Sequence, residues 1–209
     1  NLGFAGVAFC GYGAAAWIPE FFVRTYGLNR VQVGEWLGWI TMIGGSAGIL
    51  TGGALSDWLR AKGYQDAPMR VGCLAALLML PTLPGYLASE PFWALFANAV
   101  SVFCLAMPFG VAPAALQEIM PNPMRGQASA LYLFVVTLIG LGVGPTAVAL
   151  ITDFVFQDDA ALRYSLMIVC AVAGTLAALL LFLSFKPYRE SLLRLEGWTG
   201  AATPGVVST

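Results

Sequence analysis

Three charged side chains stand where an apolar run meets the wrong end of a helix. Residues 44–62 read GGSAGILTGGALSDWLRAK, and a helix ending near Ser56 leaves Asp57 at its negative end, where an exposed carboxylate costs a few tenths to about 1 kcal/mol. Glu118 closes a second apolar run in the same way, and Arg125 opens the next with a cation at the positive end of its dipole. Such misfits can relieve one another. Asp57 and Glu118 can share Arg125, Arg60 or Lys62 in a network between helix ends that forms in one conformation and breaks in another. The alternative is a set of solvated loop charges at a membrane edge.

Bond-making chemistry has little to work with. The chain has no histidine, which removes the commonest general base, the usual metal ligand and every Ser/His or Cys/His nucleophile pair. Cys10, Cys73, Cys104 and Cys170 lie singly inside apolar runs without CxxC spacing, and read as small buried residues, with neither disulfide nor metal expected. No GxxxxGK[ST] loop is present to cradle a nucleotide, no cofactor is expected, and an intramembrane enzyme lacks its nucleophile or metal cluster. Glu20 is different, because a carboxylate inside a span costs about 2.5–3.5 kcal/mol or more and is a functional hypothesis by default. Arg24 follows four residues later, in the orientation that favours a local ion pair. A local pair and a proton or substrate site are both open to it, whereas Glu35, expected in the first turn of the next span, suits its helix dipole and needs no further role.

The elements that must position these groups are membrane helices. Hydrophobic residues make up 59% of the chain and charged ones 10%, with mean hydropathy +0.79, against about 25% charge in a soluble domain. Net charge of −1 points to no nucleic acid. Six apolar segments, residues 2–23, 33–56, 69–88, 92–117, 127–152 and 164–185, each approach the roughly 20 residues that a bilayer demands. Prolines are expected to distort the first at Pro19 and the third at Pro81 and Pro84. No basic stretch precedes residues 2–23, which therefore read as a span and not a cleaved leader, and Asn1 suggests a chain that begins inside a larger protein. Arg60, Lys62, Arg70, Arg125, Lys186, Arg189 and Arg194 fall on one side against Arg24, Arg30 and Arg163 on the other, so the first side, with both chain ends, is expected in the cytoplasm.

The second and fifth segments are the glycine-rich ones. Gly44, Gly48 and Gly52 share one helix face, and Gly140, Gly142 and Gly144 precede Pro145, so corresponding members of two three-helix sets are alike, as in a three-plus-three inverted repeat. Close helix packing is the expected use of Gly44, Gly48, Gly52, Gly140, Gly144 and Pro145. The last segment, rich in Leu and Ala, is expected to face lipid. Residues 1–186 form the bundle and 187–209 a cytoplasmic tail, in which Leu192, Leu193, Leu195 and Trp198 with Arg189 and Arg194 suit a short helix on the membrane surface before a disordered end.

With these residues in view, the chain resembles the major facilitator superfamily. Gly53-Ala-Leu55-Ser-Asp57 with Arg60 and Lys62 is similar to the GxLxDR signature between helices 8 and 9, and Glu118 followed by Arg125 is similar to an acidic-to-arginine motif between helices 10 and 11. Trp58 departs from the pattern, standing where a basic residue is usual. The run from Arg125 to Phe134, the Gly140 to Pro145 segment, Thr152-Asp153, and Trp17-Ile-Pro19 with Arg24 look most like Spinster-like members. The resemblance covers all six spans and implies an all-α membrane protein, helices 7 to 12 of a twelve-helix secondary transporter, in a bacterial cytoplasmic (inner) membrane.

It implies alternating access, with a missing N-terminal half of the same protein as partner and membrane lipid around both. On that mapping Tyr12, Trp17 and Glu20, along with Phe9 and Phe21, and Asn98, Ser101 and Phe103 face the substrate path, while Gly53, Asp57, Arg60, Glu118 and Arg125 form the gating network. Ordinary helix packing competes as a use for each aromatic, and interhelical hydrogen bonding for Asn98 and Ser101. Aromatic residues and Met in the first and fourth spans suit an amphiphilic or largely apolar solute or lipid, with a proton gradient as the driving force. The alternative is a transport-dead receptor or scaffold with the same fold.

Overall fold

A computed structural model describes residues 2–158 and 161–201, with side chains to Arg194. Nine α-helical segments lie among these residues, and the first eight make six long rods. The first rod is α1 (Leu2–Tyr26), and the second joins α2 (Arg30–Ile40), a π-helical turn (Thr41–Gly45) and α3 (Ser46–Ala61). The third is α4 (Ala67–Met79) continued as a 3-10 helix (Leu80–Leu87), and the fourth is α5 (Pro91–Glu118). The fifth joins α6 (Arg125–Thr137), a π turn (Leu138–Val143), α7 (Gly144–Leu150) and a second π turn (Ile151–Phe156). The sixth is α8 (Leu162–Leu183), and α9 (Phe185–Ala201) follows it. Leu195, Trp198 and the ending 202–209, which carry part of the tail expectation, lie outside the described side chains or residues.

Five rods are long and apolar enough to cross a membrane, and the second, whose middle is rich in glycine, is not among them. The protein is an all-helical integral membrane protein. Asn29 starts the second rod by accepting from the Val31 N–H at 2.9 Å, a cap that places the start at Arg30 and puts Glu35 beyond the first turn. Pro81 and Pro84 do end the α-helical part of the third rod, because each lacks the N–H that an α-helix needs. Pro19 does not, and α1 runs through it unbroken. The second rod runs past Ser56 to Ala61, so Asp57 lies inside its last turns and Arg60 supplies a cation of the favourable sign at the end.

Neighbour relations among the rods form a palindrome. Rod two packs on rod four, four on three, three on six, six on one, and one on five. Exchanging the first three rods for the last three returns the same order, which is the three-plus-three repeat in three dimensions. Rods two and five are pressed home through glycine. A Cβ on Gly48 would lie 2.3 Å from the Phe103 carbonyl oxygen and one on Gly52 2.2 Å from that of Met107, with Gly44 looser at 3.6 Å from Ala99. On the other side Gly144 and Gly13 touch backbone to backbone, and a Cβ on Gly140 would meet the Tyr12 ring at 2.6 Å. The opposite faces of these two rods are exposed, with Trp39, Leu50, Phe134 and Phe154 among the outward side chains. The sixth rod buries Leu166, Cys170 and Leu181 against its neighbours and leaves Val172, Leu179 and Phe182 outward.

Gly52→Ala should lower stability by about 1–3 kcal/mol, since backbone has to move aside. Gly53→Ala, whose Cβ meets nothing within 4 Å, should be neutral or stabilise by up to about 1 kcal/mol. Thermal unfolding in detergent distinguishes the two adjacent sites.

Candidate functional site

Charged side chains collect at one end of the bundle, where α3, α5 and α9 finish or begin. Arg60 grips Glu118 with both terminal nitrogens, Nη1 to Oε1 and Nη2 to Oε2 at 2.6 Å. Two parallel bonds make this a fork-on-carboxylate pair, the strong form of such contacts. Tyr188 on α9 donates its hydroxyl to Glu118 Oε2 at 2.9 Å and lies 3.3 Å from the Ala115 carbonyl. Glu118 is thus the wrong-signed last residue of α5 and is compensated from two other helices. Asp57 is exposed and adds only its field to Arg60, while Arg125 donates to the Met120 carbonyl at 3.3 Å. Of the five residues of the expected network, the structure therefore joins Arg60 and Glu118 and holds Asp57 and Arg125 apart from them. Gly53 faces open space. Trp58 carries a cation after all, with Lys62 Nζ 3.6 Å above its ring, one helical turn away.

A second cluster, built on Asp66, has no counterpart in the sequence reading. Asp66 is fully buried in the short connection before α4, and accepts from Arg70 Nε at 3.1 Å and Arg189 Nη2 at 2.9 Å. Arg70 also lies 4.3 Å over Tyr64 and 5.4 Å over Phe185. Burial pushes the Asp66 carboxyl up in pKa, and the Arg189 and Arg70 guanidiniums more than reverse this, holding it below the usual carboxylate range. The Asp66–Arg70 spacing of four is the one local signal for this cluster. The closing partner, Arg189, is far away in sequence and left no local trace.

The expected substrate residues divide. A cavity of about 610 Å³ lies between rods one, two and four and the tip of rod three, and Asn98 and Ser101 line it. The wall from α1 consists of Gly11, Ala14 and Ala15, which are small, with Ile18 and Pro19 on the same helix face. Its aromatics point elsewhere, because they fall on the faces that pack against other rods. Tyr12 meets Phe109 edge to face at 6.1 Å, Phe21 is fully buried among Phe22, Tyr26 and Tyr86, and Trp17 Nε1 donates to the Pro145 carbonyl at 2.9 Å. Phe9 lines a separate apolar groove against α8, and Phe103 packs toward Val71 and Met107. Glu20 is off the cavity too, bound by Arg24 at 2.8 Å and by Arg30 at 3.0 Å.

No family model matches the chain. Over 194 residues it is 26% identical to an MFS-type efflux pump of Mycolicibacterium smegmatis (strain ATCC 700084 / mc(2)155), covering 90% of this chain and 45% of that protein. Over 192 residues it is 23% identical to a probable L-galactonate transporter of Escherichia coli (strain K12), covering 90% and 41%. The chain thus spans about half the length of the curated relatives it matches. It is similar in fold to a bacterial homologue of the human lysosomal transporter Spinster, inward-facing and unoccupied, with TM-score 0.73 at 18% identity over 91% of this chain and 47% of that one. The occupied inward-facing form of that homologue matches at TM-score 0.63.

Asp66→Asn should cost about 1–3 kcal/mol, less than a wholly buried pair because Arg70 and Arg189 are a third to a half exposed. A carboxyl whose folded pKa is lowered stabilises above its unfolded value near ~4 and loses this as pH falls through the folded value. Unfolding temperatures measured from pH 7 down to 3 should therefore fall more steeply for the native protein than for Asp66→Asn.

Proposed function

We propose that the chain is the C-terminal half of a secondary transporter of the major facilitator superfamily, moving an amphiphilic or largely apolar solute by alternating access. The observation that carries this reading is the Arg60–Glu118 pair with Tyr188 on it. It closes the ends of rods two and four with charges that can be separated and rehydrated, which is what a gate between two conformations needs. In this reading the charged end lies in the cytoplasm, as the excess of basic residues there supports. Rods two and five then border the N-terminal half with their exposed apolar faces, and α9 lies at the inner membrane surface.

Substrate class follows from the cavity wall. Fifteen residues line it and none is charged, so a sugar acid like the one named for the Escherichia coli relative would bring a carboxylate with no cation to meet it. An amphiphile fits this wall better. The driving force we assign is the proton gradient, since the chain has no nucleotide-binding loop. Among the described carboxylates, Glu20, Asp66 and Glu118 are each held by arginine in this conformation. A proton could reach them only when the pairs open.

Full-length protein in proteoliposomes should move a neutral amphiphilic dye such as an NBD-tagged monoacylglycerol down an imposed proton gradient and leave L-galactonate behind, and an uncoupler should stop it. Glu118→Gln should slow dye movement at least tenfold at unchanged expression, and the charge exchange Arg60→Glu with Glu118→Arg should recover part of it. Saturable galactonate flux with no dye flux would overturn the substrate class. Dye flux indifferent to Glu118→Gln would overturn the gate.

A further inference from the structure

The cavity contains a polar group that the fold leaves unserved. Asn98 is 4% exposed, and its Oδ1 is buried without a hydrogen-bond partner. Leaving such a group unpaired costs about 1–3 kcal/mol, and an unpaired polar atom in a native interior calls for an explanation. Ordinary interhelical bonding is not it, because that would have supplied the partner. One helical turn on, Ser101 meets Thr82, whose own hydroxyl proton goes to the Met79 carbonyl at 2.7 Å. Ser101 is therefore the donor to Thr82, and its oxygen has only acceptor capacity left.

The room beside these groups is built by absence of side chains. Gly34 and Gly38 line the cavity from α2, and a Cβ on either meets nothing within 4 Å. Thr41 and Met42, in the π turn of rod two, continue that wall, and π turns are frequent at functional sites. At about 610 Å³ the space matches a small organic ligand. Its wall is otherwise aliphatic, with Ile18, Leu37, Val102 and Leu105 among the lining residues.

We propose that this cavity selects a largely apolar molecule bearing one neutral hydroxyl, which donates to the Asn98 Oδ1. The Ser101 proton is already committed to Thr82, so the single proton of a ligand hydroxyl is what can serve the Asn98 acceptor. A cationic head finds no carboxylate here and an anionic head no cation. An ether keeps the shape but cannot donate. This rests on the transport reading only for calling the ligand a substrate; the site itself stands on the cavity and the unpaired amide.

The test uses detergent-purified full-length protein, with dansyl-tagged decanol and its methyl ether as probes and fluorescence anisotropy as readout. The alcohol should bind at least tenfold more tightly than the ether. Asn98→Leu, close in shape, should erase that preference by weakening the alcohol alone, and should raise the unfolding temperature of the ligand-free protein by removing an unpaired polar group. Gly38→Phe, filling open space, should lose both probes with unfolding temperature unchanged. Equal binding of the two probes to the native protein, no binding of either, or a preference that survives Asn98→Leu would each overturn the proposal. A hydroxyl-selective site in a protein that moves no dye would uphold it and sink the transport reading.

Discussion

Contact of backbone with backbone at Gly48 and Gly52 fixes the position of rod two on rod four, and everything placed along rod two follows. Upstream of the contact, Gly34 and Gly38 stand away from their neighbours and leave the cavity open. Downstream, Arg60 arrives within reach of Glu118. One helix is thus seated at its centre, loose at one end and charged at the other. In a bilayer there is no hydrophobic drive between apolar helices, so this fit of surfaces is what holds them.

Much of the frame could be read from residue types alone. The six spans, the glycine seats and the misplaced charge of Glu118 are local facts, each written in a window of a few turns. Partners across the bundle were less visible. Arg60 was one of three cations offered to Glu118, and nothing local distinguished it from Arg125, which turns to its own preceding loop. Asp66 escaped because a carboxylate just before a helix is ordinary, and only Arg189, arriving with the last helix, makes it a fully buried one. Counting aromatics also misdirected attention in the first span. Large rings there fill interhelical space, and it is the small residues on the remaining face that make room.

The π turns of rods two and five fall at corresponding points of the repeat, each overlapping or leading into a glycine seat. A widened turn shifts the phase of the helix that follows it, so residues before and after it can serve different surfaces. In rod two the earlier half faces the cavity and the later half faces rod four. In rod five both flanking segments pack on rod one, and α7 carries Gly144 and Pro145 to it.

Tyr188 and Arg189 are neighbours in the chain, yet they reach two different carboxylates, Glu118 at the end of rod four and Asp66 at the start of rod three. Because both side chains hang from a single turn of α9, displacing that turn breaks both attachments together. In the proposed gate the two clusters would then open as one cooperative unit, with half-open forms sparsely populated. A single turn of the helix that follows the sixth rod would set how sharply such a gate works.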